Sequence, residues 1–204
     1  MPRFKLRIDG PVGKLETVID DPGPARCGLA LIAHPHPLYG GSLNNKVVAT
    51  IAKTLLDLGY VAVRPNFRGV GLSEGSYDEG RGEVADMLAV LNFVRERYPD
   101  LALLLAGFSF GAVVQSRVSE RVQAQHLLLV SPAVNLFAMG LQTGAAPNDT
   151  QVIHGERDEL VPIDQVRAWA AQHGIPLSEV RGADHFFNKK LSALKQQILD
   201  RCPC

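Results

Sequence analysis

Apolar positions follow two different spacings along this chain. Continuous apolar runs, of which Cys27–Ala33 is the clearest, are typical of strands buried on both faces of a parallel sheet. Residues 43–58 instead repeat apolar side chains every three or four positions, as one face of an amphipathic helix does. Near the N-terminus, residues 4–8 and 14–19 alternate apolar and polar positions on either side of a Gly-Pro turn. This alternation predicts a half-exposed hairpin at one edge of a sheet.

Strands and helices largely alternate in the rest of the predicted chain. The predicted strands are 27–33, 60–63, 101–106, 126–130, 151–153 and 176–180. The predicted helices are 43–58 with Ser42 as N-cap, 81–98, 110–122, 164–173 and 189–200. This order indicates an α/β fold, with a mostly parallel, doubly wound sheet and helices on both faces. No repeat or linker interrupts it, so residues 1–204 are predicted to form a single domain.

Composition excludes several classes of function. The 204 residues are 46% apolar, which suits one sizeable core, and 21 basic residues balance 21 acidic ones. Zero net charge gives no field that would attract nucleic acid or an anionic membrane. No apolar stretch approaches the roughly 20 residues of a membrane helix, and the N-terminus lacks the apolar core of a signal peptide. We therefore expect a soluble cytoplasmic protein with no nucleic-acid or membrane partner, and homo-oligomer formation stays open.

The three cysteines do not change this interpretation. They are Cys27, Cys202 and Cys204, and an odd count without a regular spacing argues against a disulfide-stapled secreted domain. Cys202 and Cys204 are interpreted as reactive thiols at a frayed chain end, because no further metal ligands cluster with them. His34 and His36 also lack a third ligand at a usable spacing. We predict neither a metal nor a cofactor.

The segment Gly107-Phe108-Ser109-Phe110-Gly111 carries the strongest chemical signal. It joins the predicted strand 101–106 to a predicted helix, and Gly-x-Ser-x-Gly in that context is typical of a nucleophile elbow. Such a turn strains the serine backbone and lifts its hydroxyl above the sheet edge. Glycine is needed on both sides because larger side chains would clash with the strand and helix that the turn joins. The segment therefore predicts a serine hydrolase.

A serine nucleophile needs a general base and an acid that orients the base. Asp158 follows the predicted strand 151–153, and His185 follows the predicted strand 176–180. Because the carboxyl ends of parallel strands meet at one edge, we expect both to lie close to Ser109. The competing acids are Glu156, Glu159 and Asp164, and Asp184 is interpreted as structural.

The ordered set GFSFG, HGERDELVP and GADHFF resembles the α/β-hydrolase superfamily. HPHPLYGGS at 34–42 and NFRGVGLSEG at 66–75 are similar to small, lid-less bacterial members near the dienelactone-hydrolase and prolyl-peptidase branches. The resemblance covers residues 4–200 and implies Ser109 as nucleophile, His185 as base and Asp158 as acid. It also implies an oxyanion hole formed by two backbone N–H groups. One belongs to Phe110, and the other to His36 or, in this longer loop, Leu38.

Residues 131–150 are too few for the helical cap that many of these hydrolases carry. An open, apolar site is therefore expected, with substrate contacts from Tyr39, Phe108 and Phe186 and further lining from Leu38, Phe110 and Phe137. Arg68 is expected to bind Glu83, Asp86 or another carboxylate rather than substrate. The predicted function is hydrolysis of small carboxylic esters through an acyl-enzyme. The alternatives are a thioesterase or acyl-peptide hydrolase with the same triad, and a non-catalytic binding protein on the same scaffold.

Overall fold

The computed structural model describes residues 2–141, 147 and 149–202. Its eight strands are β1 (Arg3–Gly10), β2 (Gly13–Asp20), β3 (Gly28–Ala33), β4 (Tyr60–Pro65), β5 (Ala102–Phe108), β6 (His126–Val130), β7 (Asp149–Gly155) and β8 (Leu177–Val180). Its five α-helices are α1 (Lys46–Asp57), α2 (Arg81–Arg97), α3 (Phe110–Ser119), α4 (Ile163–His173) and α5 (Leu191–Arg201). A short 3-10 turn covers Pro37–Tyr39.

The strands form one sheet in the order β1-β2-β4-β3-β5-β6-β7-β8. The β1–β2 hairpin lies at one edge and β2 pairs with β4, both antiparallel. All pairs from β4 to β8 are parallel. The predicted α/β class and the mostly parallel sheet are therefore confirmed.

Helices cover both faces of the sheet. Along β5, Leu104 faces a core that contains Ile51 of α1 and Leu194 of α5. Its neighbour Leu105 faces the opposite core, which α2, α3 and α4 cover. Because successive strand residues point to opposite faces, a continuous apolar run supplies both cores.

Helix α1 begins later than the sequence predicts. Its first residue is Lys46, and the side chain of Asn45 caps it by accepting a hydrogen bond from the backbone N–H of Val47. Leu43, the predicted first residue, is buried, and its N–H donates to the side chain of Asn66. The loop after β3 is therefore longer than expected, and it lies beside the candidate site.

The connection between β6 and β7 contains turns and bends. No helix or strand occurs in its described residues, 131–141 and 147. Residues 142–146 and 148 lie outside the described part of the chain. The connection is too short to fold over the sheet edge as a helical cap domain does.

Arg68 forms the carboxylate pair that was expected of it. Its guanidinium donates to both oxygens of Asp86, at 2.9 and 2.7 Å, and both side chains are buried. Asp86 also accepts a hydrogen bond from the backbone N–H of Arg68. The pair fixes the loop after β4 against α2, as was predicted.

Cys202 differs from the expectation of a reactive thiol at a frayed end. Cys27 is disulfide-bonded. Cys202 is a free thiol that is only 4% exposed, and burial raises its pKa to about 12, so it is a packed core residue. Cys204 lies outside the described residues. None of the helices in the described ranges is long and apolar enough to cross a membrane.

Candidate active site

The turn between β5 and α3 has the geometry of a nucleophile elbow. Ser109 lies between the last residue of β5 and the first of α3, with φ 56° and ψ −116°. L-amino acids rarely adopt this conformation. A Cβ atom on Gly107 would overlap the carbonyl oxygen of Gly111, and one on Gly111 would overlap that of Ala33. Both glycines are therefore required by close backbone packing.

The hydroxyl of Ser109 lies at the start of a hydrogen-bonded relay. Nε2 of His185 lies 3.0 Å from Oγ of Ser109, and Nδ1 of His185 lies 2.7 Å from Oδ2 of Asp158. A carboxylate can only accept, so Nδ1 donates and Nε2 is free to take the serine proton. His185 and Asp158 are each 5% exposed. The structure thus brings together the three residues that the sequence predicted.

The second oxygen of Asp158 is also bound. Oδ1 accepts the backbone N–H groups of Leu160 and Val161, at 3.0 and 2.8 Å. These bonds orient the carboxylate so that Oδ2 faces the imidazole.

The other acidic residues in these loops have different partners. Glu156 accepts the backbone N–H of Gly182. Asp164 is bound to Arg167 in the first turn of α4. Asp184 closes its own loop by accepting hydrogen bonds from Phe186 and Asn188, as its structural interpretation predicted. Glu159 is exposed.

The loop after β3 provides the candidates for the second oxyanion donor. The backbone N–H of Leu38 donates to Nδ1 of the His36 ring at 3.2 Å, so it is already engaged. His36 lines the cleft beside Ser109 and Phe110. Phe110 is the first residue of α3, where backbone N–H groups have no partner within the helix. Leu38 is therefore the weaker candidate, and Phe110 and His36 stay the predicted pair of donors.

His34 holds this loop in place, a role that the sequence analysis missed. Its Nδ1 donates to the carbonyl of Pro35 at 2.7 Å, and its Nε2 accepts the backbone N–H of Phe67 at 3.0 Å. The ring is fully buried, and burial lowers its pKa to about 4. A neutral imidazole therefore ties the loop after β3 to the loop after β4. No local pattern indicates this contact, because its partner lies on another strand end.

A cleft of about 670 Å³ opens above Ser109. Tyr39, Phe110, Phe137 and Phe186 line it, as the sequence predicted. Its lining also includes residues that the sequence analysis did not propose: Asn45, Leu136, Leu160 and Val161. Leu136 and Leu160 are more than half exposed, and apolar side chains in loops after strands were the signal that could have identified them.

Two predicted lining residues lie elsewhere. Phe108 is fully buried because the last residue of β5 points into the core that α1 and α5 cover. Its ring centroid is 5.2 Å from that of His185, so it supports the base from beneath the site. Leu38 points to solvent, 68% exposed, outside the lining of the cleft. The structure therefore places neither the side chain of Phe108, a predicted substrate contact, nor that of Leu38, a predicted lining residue, in the wall of the cleft.

The cleft is apolar. Among the residues that the structure describes, no Asp, Glu, Lys or Arg lines it. The same described residues contain no group of three or more His, Cys, Asp or Glu that could hold a metal ion. The polar groups in the lining are the side chains of Ser109, His185, His36, Asn45 and Tyr39.

A family model described as serine aminopeptidase, S33 matches residues 40–148, more than half of the chain. The chain belongs to this hydrolase family. A protein from Rickettsia prowazekii, described as uncharacterized, is 35% identical to this hydrolase over 96% of its length and 87% of the relative's.

Two solved structures agree with this assignment. An α/β serine hydrolase homologue from Coxiella burnetii is 40% identical, with a TM-score of 0.92, and covers 98% of this hydrolase and 97% of its own chain. A serine hydrolase from Xanthomonas campestris, described as lacking a lid, is 37% identical, with a TM-score of 0.91. That match covers 97% of this hydrolase and 92% of the other chain. This protein is therefore a lid-less serine hydrolase of the α/β fold.

Proposed function

We propose that this hydrolase cleaves uncharged, apolar carboxylic esters through an acyl-enzyme, with Ser109, His185 and Asp158 as its catalytic triad. The observation that supports the proposal is the hydrogen-bonded relay that ends at Ser109 inside an uncharged cleft. A binding protein has no need for a strained serine aligned with an oriented base. The non-catalytic alternative is therefore less favoured than catalysis.

The mechanism follows from the roles that the atoms can fill. Oγ of Ser109 attacks the ester carbonyl while Nε2 of His185 takes its proton, and Asp158 stabilises the imidazolium. The N–H groups of Phe110 and His36 bind the oxyanion of the tetrahedral intermediate. His185 then protonates the leaving alcohol, and water attacks the acyl-enzyme by the reverse sequence to release the acid.

The uncharged lining of the cleft favours ester cleavage over aminopeptidase activity. An aminopeptidase must bind the positively charged α-amino group of its substrate, and a buried cation needs an anionic or strongly polar partner. The described lining contains no carboxylate. An uncharged acyl group has no such requirement and gains free energy by leaving water for these apolar walls. A thioester with an apolar acyl group meets the same walls, so a thioesterase remains the nearest alternative.

Labelling tests the triad. Wild-type protein and Ser109→Ala are exposed to a fluorophosphonate, and intact masses are recorded. One adduct on the wild type and none on Ser109→Ala is expected, because the relay activates a single serine. Ser76→Ala is the matched control, since Ser76 is exposed, and it keeps the adduct. An unlabelled wild type contradicts the proposal and brings the binding-protein alternative forward.

A substrate panel tests the class of bond. We expect turnover of p-nitrophenyl butyrate to exceed that of an aminoacyl p-nitroanilide with a free amine by at least about 100-fold in kcat/KM. Capping the amine of the anilide with an apolar acyl group should reduce the difference in kcat/KM between the two substrates. Preference for the free amine contradicts the argument from the uncharged lining. Comparison with a butyryl thioester decides between the esterase and the thioesterase.

We propose a small-molecule ester or acyl compound as its partner, with no nucleic acid or membrane, and a cytoplasmic location. Cell fractionation with an antibody against the protein tests the location. Sedimentation of the purified protein measures its oligomeric state.

A further inference from the structure

A second histidine lies beside the acid of the triad. His154 is the penultimate residue of β7, and its side chain is fully buried. Its Nε2 lies 2.8 Å from the carbonyl oxygen of Val161 and 3.3 Å from Oδ2 of Asp158. Oδ2 is also the atom that binds His185. Two imidazole rings therefore converge on one carboxylate oxygen.

The surroundings of His154 fix its tautomer. A carbonyl oxygen can only accept, so the proton is on Nε2. Nδ1 is buried and has no hydrogen-bond partner among the described residues, which identifies it as the unprotonated nitrogen. A proton on Nδ1 would leave a buried donor and a buried charge without an acceptor. Burial accordingly lowers the pKa of His154. Its Nε2–H is thus a permanent dipole directed toward Val161 and Asp158.

The charges around His154 do not alter the neutral, Nε2-protonated state of its ring. His185 and Asp158 act on the ring from the site, and they oppose each other. From β8, Glu179 lies opposite His154 in the strand register. Glu179 is bound by Arg167 of α4, so its charge is compensated.

We propose that His154 is a positioning residue for the catalytic acid. It acts through Asp158 and touches no substrate, so the proposal rests on the function proposed above. Backbone N–H groups hold Oδ1 of Asp158, while the Nε2–H dipole of His154 lies beside Oδ2. This second anchor keeps the carboxylate facing His185 as the imidazole gains and loses its proton. The dipole also makes the electrostatic potential at Oδ2 less negative. The carboxylate therefore stabilises the imidazolium of His185 less than it would without His154.

Two variants of similar length separate the N–H group from the bulk of the side chain. His154→Gln keeps a terminal N–H, whereas His154→Met removes it. For His154→Met with a short soluble ester, we expect kcat to fall by about fivefold or more with KM within about twofold. The midpoint of the acid limb of its pH–rate profile should rise by about half a pH unit, because an unmoderated carboxylate stabilises the imidazolium more. His154→Gln should stay within about twofold of the wild-type kcat and keep its midpoint.

The readouts distinguish positioning from structural support. Rates are expressed per active site titrated with fluorophosphonate, so a smaller folded fraction does not mimic the effect. His126→Met is the matched control, because His126 pairs with Asp149 at the opposite end of the neighbouring strands. It should change neither kcat nor the acid limb. Wild-type kinetics in His154→Met, or equal losses in the Met and Gln variants, overturn the inference.

A measurement on the wild-type protein tests the inference even if His154→Met does not fold. In ¹⁵N-histidine-labelled protein at neutral pH, His154 should be protonated at Nε2 and unprotonated at Nδ1. The opposite tautomer overturns the inference. Failure of the wild type to react with fluorophosphonate instead contradicts the proposed function.

Discussion

Ser109 carries the backbone strain of the site. Its positive φ is compatible with glycine but costly for any residue with a Cβ atom. The hydroxyl is therefore presented at some expense of stability, as functional residues often are. The strain belongs to the backbone, so it can be measured separately from the chemistry.

Two inactive variants isolate this strain. Ser109→Gly should be more stable than Ser109→Ala by about 1 kcal/mol, because relief of the strain outweighs the extra entropy of an unfolded glycine. Urea unfolding at neutral pH measures the difference. An alanine variant as stable as the glycine variant would show that the turn is not strained.

Asp158 should be indispensable among the acids of the site. Asp158→Asn is expected to lower kcat by about 10⁴-fold, because an amide can donate to Nδ1 of His185 and favour the wrong tautomer. Asp164→Asn is the control and should stay within about twofold of wild type, since Asp164 binds Arg167 at the surface. A larger loss in Asp164→Asn contradicts the assignment of the acid.

The sequence predicts the triad well because each member follows a strand, and parallel strands deliver their ends to one edge. It fails for Phe108 and Leu38, which lie next to correctly predicted residues. Which way a side chain points at a strand end or in a turn depends on backbone angles that a motif does not specify. His34 was missed as a contributor for a related reason: the backbone N–H that its ring accepts comes from another loop, the one after β4.

At the scale of elements, helix α1 shows how local sequence can leave a boundary undecided. Ser42 and Asn45 are both good N-cap residues. The choice falls on Asn45 because Leu43 is buried and its N–H is taken by Asn66. That contact spans two loops, and periodicity within the helix does not reveal it.

The cap makes a measurable contribution. Asn45→Ala should lower the free energy of unfolding by about 1 kcal/mol, because the N–H of Val47 loses its acceptor. Asn45→Asp should keep most of the stability. Chemical denaturation of the variants measures the effect. Equal stability of Asn45→Ala and wild type contradicts the assignment of the cap.

At the scale of the whole molecule, the alternation of strands and helices was sufficient to predict the layers. The alternation near the N-terminus placed the β1–β2 hairpin at an edge of the sheet, but it could not identify β4 as the neighbour of β2. That pairing depends on contacts between residues such as Ile19 and Val63 that are distant in sequence. The single domain predicted for residues 1–204 should appear as one unfolding transition that circular dichroism and fluorescence report together.

Buried histidine makes the whole fold sensitive to acid. Burial lowers the pKa of His34 from 6.5 to about 4. Between these pH values, His34 is therefore protonated in the unfolded chain and neutral in the folded one. Its stabilising contribution is present above pH 6.5 and is lost as the pH falls toward 4. We expect a loss of about 3 kcal/mol from this group over that window.

Variants of two histidines test whether His34 causes this loss of stability in acid. The stability of His34→Gln, measured by urea unfolding, should fall less than that of wild type between neutral pH and about pH 4. His173→Gln is the control and should keep the wild-type dependence. Parallel curves for wild type and His34→Gln contradict the burial of a neutral imidazole.

The contacts of the triad are all distant in sequence: Ser109 and His185 are 76 positions apart, and Asp158 and His185 are 27 positions apart. Reactivity of the serine therefore requires β5, β6, β7 and β8 to have assembled in order, so a compact state that forms before this assembly should not react. During refolding, Ser109 should not be labelled by fluorophosphonate until the last of these strands has joined the sheet. The hydrolase thus reports the completion of its own folding, and labelling at successive times after dilution from denaturant would follow assembly of the sheet without an added probe on the chain.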